Sequence, residues 1–223
     1  MQFSNVVILM NRIIPLLIPI VALAANRPTM RSGEAPPAAN PAQYWSASVE
    51  AEANKKYDEA LAAAQSFKQA GGDALLAWER LGWLSYRNGD YAPADKYYSE
   101  ASRLFPTAIN PLLGLLNSAQ AQKDAKKIES TALALLRAEP TNYRAQMALA
   151  GLHLTTREYL RAVSEYGRVL VNYPDDLDAT SGLAWALYYS GNKHQASPLF
   201  HRLLSVNPDY AYAQRGYELS TAK

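Results

Sequence analysis

The sequence predicts an all-α solenoid assembled from two-helix units. Prolines 106, 140, 174 and 208 stand 34 residues apart, and each closes an apolar run of helical period: "SEASRLFP", "LALLRAEP", "GRVLVNYP" and "RLLSVNP". A fixed period of this size marks stacked helix pairs, because one pair cannot bury its apolar face alone. The columns of the period also agree in size: position 20 reads Ala60, Ala94, Ile128, Ala162 and Ala196, and position 24 reads Ala64, Tyr98, Ala132, Tyr166 and Phe200. A composition of 49% hydrophobic and 19% charged residues suits a chain that buries a core.

The first element is residues 6–25, "VVILMNRIIPLLIPIVALAA", the only long apolar run, broken by Asn11, Arg12, Pro15 and Pro19. Read from Met10, it has a short basic start, a 12-residue apolar stretch from Ile13 to Ala24 and small residues at Ala22 and Ala24. That is the pattern of a secretory signal peptide. The expectation is a signal over 1–25, cut after Ala24 or Ala25, with Met10 as an alternative start. A retained membrane anchor is the competing reading, since about 20 apolar residues can span a bilayer. The chain has no cysteine, hence no lipid-acceptor thiol and no disulfides, so a periplasmic or secreted location rests on core packing alone. A bacterial periplasm fits best, and a membrane-anchored location is the alternative. Residues 26–40, rich in Pro and Ala, read as a linker.

With each proline at position 32, the units are 41–74, 75–108, 109–142, 143–176 and 177–210, followed by a capping helix over 211–223. The stretch "AWERLGWLSYRNGDYAPADKYYSEASRLFP", 77–106, shows one unit nearly in full. Position 7 is Ala47, Leu81, Leu115, Leu149 and Leu183, while position 8 is small in Ser48, Gly82, Ala150 and Ala184 but not in Leu116. Small residues at 8 and 20 let the helices of a unit approach, and large ones at 7 and 24 fill the space around them. Gly89 and Gly191 suit a left-handed residue ending the first helix, Asp90 or Asp124 can cap the second, and the proline stops it.

Two units depart from this pattern. Unit 41–74 has Gly71 and Gly72 where the proline would stand, which points to a more mobile junction. Unit 109–142 has Leu116 and Ile128 for small residues and Ala132 for an aromatic, an exchange that can conserve volume. It reads as a repacked but ordinary unit, with a local change of curvature as the alternative.

With Trp78, Leu81, Gly82, Ala94, Tyr98, Ala101 and Pro106 at their offsets, and Ser85 where a tyrosine is expected, the chain resembles the tetratricopeptide repeat family over 41–210. The resemblance implies a right-handed α-solenoid whose first helices line a concave groove with positions 2, 5, 9, 12 and 13. Those positions include Trp45, Val49, Glu52, Glu79, Trp83, Tyr86 and Arg87, then Asn110, Leu113, Asn117, Gln120, Arg144, Met147 and Leu154. They continue with Asp178, Ser181, Trp185, Tyr188 and Tyr189, and the cap adds Tyr212 and Arg215. The candidate partner-binding residues among them are Trp45, Glu79, Trp83, Tyr86, Arg87, Asn117, Gln120, Arg144, Trp185, Tyr188, Tyr189 and Tyr212. Aromatics beside Asn, Gln and Arg suit a recognition surface, and packing between units is the competing role. Trp78 falls at a packing position. The Lys and Asn set with which chaperone-docking members clamp a carboxylate is missing: position 5 holds no lysine and only Asn117 matches.

Little other chemistry is legible. A net charge of +2 without like-charge blocks gives no nucleic-acid footprint. His153, His194 and His201 lack metal-ligand spacing, and His153 sits at a packing position. No phosphate-binding glycine loop or GxSxG motif is present, and the acids of "YPDDLD" at 173–178 are helix-start charges. The expectation is a non-enzymatic, cofactor-free exported scaffold that holds a protein or peptide partner. By resemblance its settings are envelope assembly, outer-membrane biogenesis or polysaccharide export. The alternatives are a carbohydrate-binding module using Trp45, Trp83 and Trp185, or a membrane-anchored adaptor that retains its N-terminal segment.

Overall fold

A computed structural model describes residues 40–222. The expected signal, the alternative start at Met10 and the linker up to residue 39 lie outside the described residues. Among the described residues there are eleven helices and no strand. They are α1 (Pro41–Ala53), α2 (Tyr57–Gln69), α3 (Ala74–Asn88), α4 (Tyr91–Leu104), α5 (Ile109–Ala121) and α6 (Ala125–Ala138), then α7 (Tyr143–Thr155), α8 (Tyr159–Asn172), α9 (Leu177–Tyr189), α10 (Lys193–Val206) and α11 (Ala213–Thr221). Each packs chiefly on the helices before and after it, as stacked helix-turn-helix pairs require. None of the described helices is long and apolar enough to cross a membrane.

The second helices end where proline dictates, two residues before it. Phe105, Glu139, Tyr173 and Asn207, each just before a proline, have φ of −129°, −134°, −133° and −141° and lie outside the helix. The proline ring clashes with a helical conformation at the preceding residue, so the helix stops there. Four of the five first helices begin on side-chain caps: Asn40, Asp73, Asn142 and Asp176 accept from the amides of Ala42, Leu76, Ala145 and Ala179, whereas α5 starts after Ala108 without one. Of the two expected caps on second helices, Asp124 accepts from Lys127 N. Asp90 does not cap α4; its carboxylate takes the Asn88 amide at 2.8 Å instead.

The turn inside each unit is the same in all five, with or without glycine. Lys55, Gly89, Lys123, Arg157 and Gly191, all at position 15, have φ of 59°, 85°, 55°, 66° and 91°. The next residue's amide then reaches back to the carbonyl five before it, at 2.8–3.0 Å from Lys56, Asp90, Asp124, Glu158 and Asn192. This bond satisfies carbonyls that the helix end would leave unpaired. At three turns the chain accepts a left-handed lysine or arginine to keep it. The proline-free junction is closed similarly, with Gly71 left-handed and Gly72 N bonded to Phe67 O; a Cβ on Gly72 would meet the Phe67 ring.

Between units, the aromatic at position 24 rests on bare backbone. Tyr98 lies against Gly82 of its own unit and Gly114 of the next, Tyr166 against Gly182, and Phe200 against Gly216. Position 6 of a unit is thus glycine wherever the preceding position 24 is aromatic. After Ala132 it is Ala148, and after Ala64 it is Arg80. This column coupling was readable in the sequence and escaped the unit-by-unit reading. Where unit 109–142 meets unit 143–176 the core is aliphatic: Leu116, Ala132 and Leu135 of the first and Ala145, Ala148 and Leu149 of the second are buried together, with Ile128 and Leu136 against them. The large-for-small exchange fills that interior. First helices α3 and α5, α7 and α9, and α9 and α11 run close together, whereas α1 and α3, and α5 and α7, do not approach to the same degree.

Candidate partner-binding face

At the N-terminal end, α3 carries a pinned aromatic cluster. Trp83, 36% exposed, donates its indole N–H to Glu52 Oε1 at 2.7 Å. Glu52 also pairs with Arg80 and, at 3.8 Å, with Arg87. Burial pushes the Glu52 carboxyl up, but the hydrogen bonds from Trp83 and Arg80 and the charges of Arg80 and Arg87 outweigh it and hold the group below its ordinary value. The Arg87 guanidinium stands 5.2 Å from the Trp83 ring centre and donates to Tyr57 OH at 3.2 Å. Tyr86 stacks on Trp83 at 6.0 Å and meets Tyr91 at 5.8 Å. Trp45 is half-buried, lies 5.2 Å from Phe67 and has Arg80 over it, so most of its surface is spent on packing. Trp78 packs beside the buried Ala60, Ala64, Leu81 and Leu84 with Lys68 over its ring, as its column implied. Glu79 is half-buried with Oε1 lacking a hydrogen-bond partner; burial and then Asp73 raise its carboxyl despite the opposing pull of Asn110.

In the middle, Arg144 of α7 donates to Asn117 of α5, joining two predicted residues across a unit boundary. Gln120 lines an open pocket of about 600 Å³ with Lys123, Ala125, Ile128, Met147, Ala148, Gly151, Leu152, Thr155 and Thr156. His153 is buried in α7, with Nδ1 3.6 Å from Glu158 Oε1, which agrees with its packing column. Among the described residues no group of three potential metal ligands occurs.

At the C-terminal end the rings form a ladder. Tyr159 stacks on Tyr189 at 5.3 Å, Tyr189 on Trp185 at 5.6 Å, and Trp185 meets the buried Phe200 edge-on at 5.0 Å. Tyr188 closes on both Trp185 and Tyr189. Trp185 is therefore shared between core and surface, whereas Tyr189 is 52% exposed. Tyr212 stands apart at 79% exposure, in a left-handed conformation at the start of α11.

One column was missed. Position 17 is Tyr57, Tyr91, Ala125, Tyr159 and Lys193. Tyr57 reaches Arg87 and Tyr159 reaches Tyr189, in both cases position 13 of the next unit. The signal was a column of tyrosines at the second-helix start, as regular as the columns read for packing.

A tetratricopeptide repeat family model matches residues 129–176 and 181–217. No curated protein sequence matches the chain. Among solved structures, a tetratricopeptide repeat protein from Parabacteroides merdae ATCC 43184 is 17% identical over 80% of this chain and 72% of its own, with a TM-score of 0.72. YrrB, described as a tetratricopeptide repeat protein with an unusual peptide-binding site, is 14% identical over 80% and 92%, with a TM-score of 0.66. A MamA fragment from Desulfovibrio magneticus RS-1 is 14% identical over 78% and 99%, with a TM-score of 0.68. At these identities the likeness is one of fold. The matched segments carry the same 34-residue columns that recur through the earlier units, so the chain resembles the tetratricopeptide repeat family in its repeat pattern and in its fold.

Proposed function

We propose that this protein is an exported, non-enzymatic scaffold that binds a protein or peptide partner on the face formed by its first helices. The observation that carries the proposal is the pair of preordered aromatic clusters on α3 and α9: Trp83, Tyr86 and Arg87 at one end, Trp185, Tyr188 and Tyr189 at the other. Trp, Tyr and Arg dominate binding energy at interfaces when they are held in place before the partner arrives. Here Glu52 fixes the Trp83 indole and Tyr159 fixes Tyr189, so little rotamer freedom is left to lose. Asn117, Gln120 and Arg144 supply polar contacts between the clusters, and Trp45, Glu79 and Tyr212 extend the face. The peptide-binding site named for YrrB, which shares this fold, supports the same use of the scaffold.

A sugar-binding role is less well served. Stacking on a sugar needs an open ring face, and of the three tryptophans offered for it Trp45 packs on Phe67, Trp83 on Tyr86, and Trp185 on Tyr189 and Phe200. The export part of the proposal rests on the signal-like segment at 1–25, with a bacterial envelope as the setting; cell fractionation and the intact mass of the exported chain test it, and a retained segment in the membrane fraction overturns it.

The binding part is tested by crosslinked capture from the native envelope with wild type and a Trp83→Ala/Tyr189→Ala variant. The variant is expected to keep its helical circular dichroism and lose captured partner by about tenfold or more, the scale of one hot-spot residue. Equal capture by both proteins overturns the assignment of this face.

A further inference from the structure

Resting on that reading, we infer that the pocket between α5, α6 and α7 takes an aromatic side chain from the partner, flanked by an acidic residue. The pocket is a gap in a repeated pattern. In units 41–74 and 143–176 a tyrosine at position 17 crosses to position 13 of the next unit, Tyr57 to Arg87 and Tyr159 to Tyr189. Between units 109–142 and 143–176 the same two positions hold Ala125 and Thr155, and no ring joins them. The first helix of unit 143–176 also has Gly151 at position 9, where units 75–108 and 177–210 have Trp83 and Trp185. Two missing aromatics therefore coincide at one junction, where α5 and α7 do not run close together. The result is an open pocket of about 600 Å³ floored by Ile128, Met147, Ala148 and Leu152. Apolar walls with an unbranched methionine suit a planar ring.

The charge at the rim selects the flanking residue. Lys123 lines the pocket from a left-handed turn position and makes no ion pair among the described residues. Of the nearby carboxylates, Asp124 caps α6, Asp95 holds Lys127, and Glu158 pairs with Arg161. A partner carboxylate beside the inserted ring would meet Lys123, and no acidic residue lines the pocket to oppose it.

The test uses three fluorescein-labelled peptides on a Gly/Ser frame, with Phe-Glu-Glu, Ser-Glu-Glu or Phe-Lys-Lys at the centre, titrated by polarisation against the mature chain. Phe-Glu-Glu is expected to bind about tenfold or more tighter than either control. Gly151→Trp fills the pocket from one wall and Ala125→Tyr restores the missing ring from the other, so each is expected to abolish that preference. Gly151→Ala, whose new methyl meets only Tyr166 OH at 3.9 Å, retains it. Lys123→Glu is expected to move the preference toward Phe-Lys-Lys. Equal binding of Phe-Glu-Glu and Ser-Glu-Glu overturns the inference, as does binding unaffected by both filling variants. Laurate that binds wild type and is blocked by the filling variants, with no peptide discrimination, reassigns the pocket to a lipid and also overturns it. Peptide binding that is lost in Trp83→Ala/Tyr189→Ala yet unaffected by the filling variants refutes this pocket and leaves the aromatic face standing. If no peptide binds, the pocket is refuted and envelope capture decides the wider face independently.

Discussion

At Gly82, Gly114, Gly182 and Gly216 the packing partner of the backbone is an aromatic ring, and a single methyl is enough to disturb it. Gly182→Ala forces its Cβ into Tyr166 and is expected to lower stability by about 1–3 kcal/mol, the usual cost of overpacking. Gly167→Ala is the control: its Cβ meets nothing within 4 Å, so the substitution gains helix propensity and raises stability by about 0.5–1 kcal/mol. Urea denaturation of the pair separates close approach from backbone freedom, which the sequence alone does not distinguish. Two acids divide in the same way. Burial pushes Asp95 up, but hydrogen bonds from Lys127, Gln122 and Ser118 and the Lys127 charge leave it below 3.8. Its contribution is therefore complete above about pH 3.8 and lost as pH falls through the lower folded value. Asp95→Asn is expected to remove part of the acid limb of the stability curve. Glu79 lies the other way, raised above 4.5 by burial and Asp73, so the form that favours folding is the protonated one. Glu79→Gln is expected to stabilise the protein at neutral pH, and the gain vanishes below about pH 4.5. Thermal melts across pH 3–8 of both variants check the opposite signs.

At the scale of the helix, the ends were legible and the caps only partly so. Proline's effect on its neighbour is local, so four helix stops follow from four letters of sequence. Asp90 and Asp124 occupy the same column, yet Asp124 bonds the α6 N-terminus and Asp90 turns to Asn88. Asp124→Ala is expected to cost about 1 kcal/mol and Asp90→Ala much less, measured by chemical denaturation. The turn residues were half-read. Glycine announces a left-handed position, but Lys55, Lys123 and Arg157 adopt it because the reach-back amide bond outweighs the strain. Arg157→Gly is expected to raise stability by up to about 1 kcal/mol, since the turn is kept and the left-handed penalty of a side chain is removed.

Along the stack, each unit is stable only through its neighbours. Ending the chain after Tyr210 removes α11 and with it Gly216 and Ala213, the cover over Phe200 and Leu203. Hydrogen exchange is expected to show α9 and α10 losing protection while α3 and α4 keep theirs, because coupling in a solenoid runs between adjacent units. The sequence by itself determined the period, the helix pairs and the positions of the helix ends, because each follows from residue type at fixed covalent spacing. It also nominated a binding face. Tertiary structure alone decided what each ring on that face is doing: Trp45 is spent on Phe67, Trp185 is shared with Phe200, and Trp83 is held out by Glu52. Those contacts join residues on different helices, and their partners depend on side-chain size in the neighbouring unit. The opening of the pocket beside Gly151 has the same origin, since two absent rings become one space only when α6 and α7 are stacked.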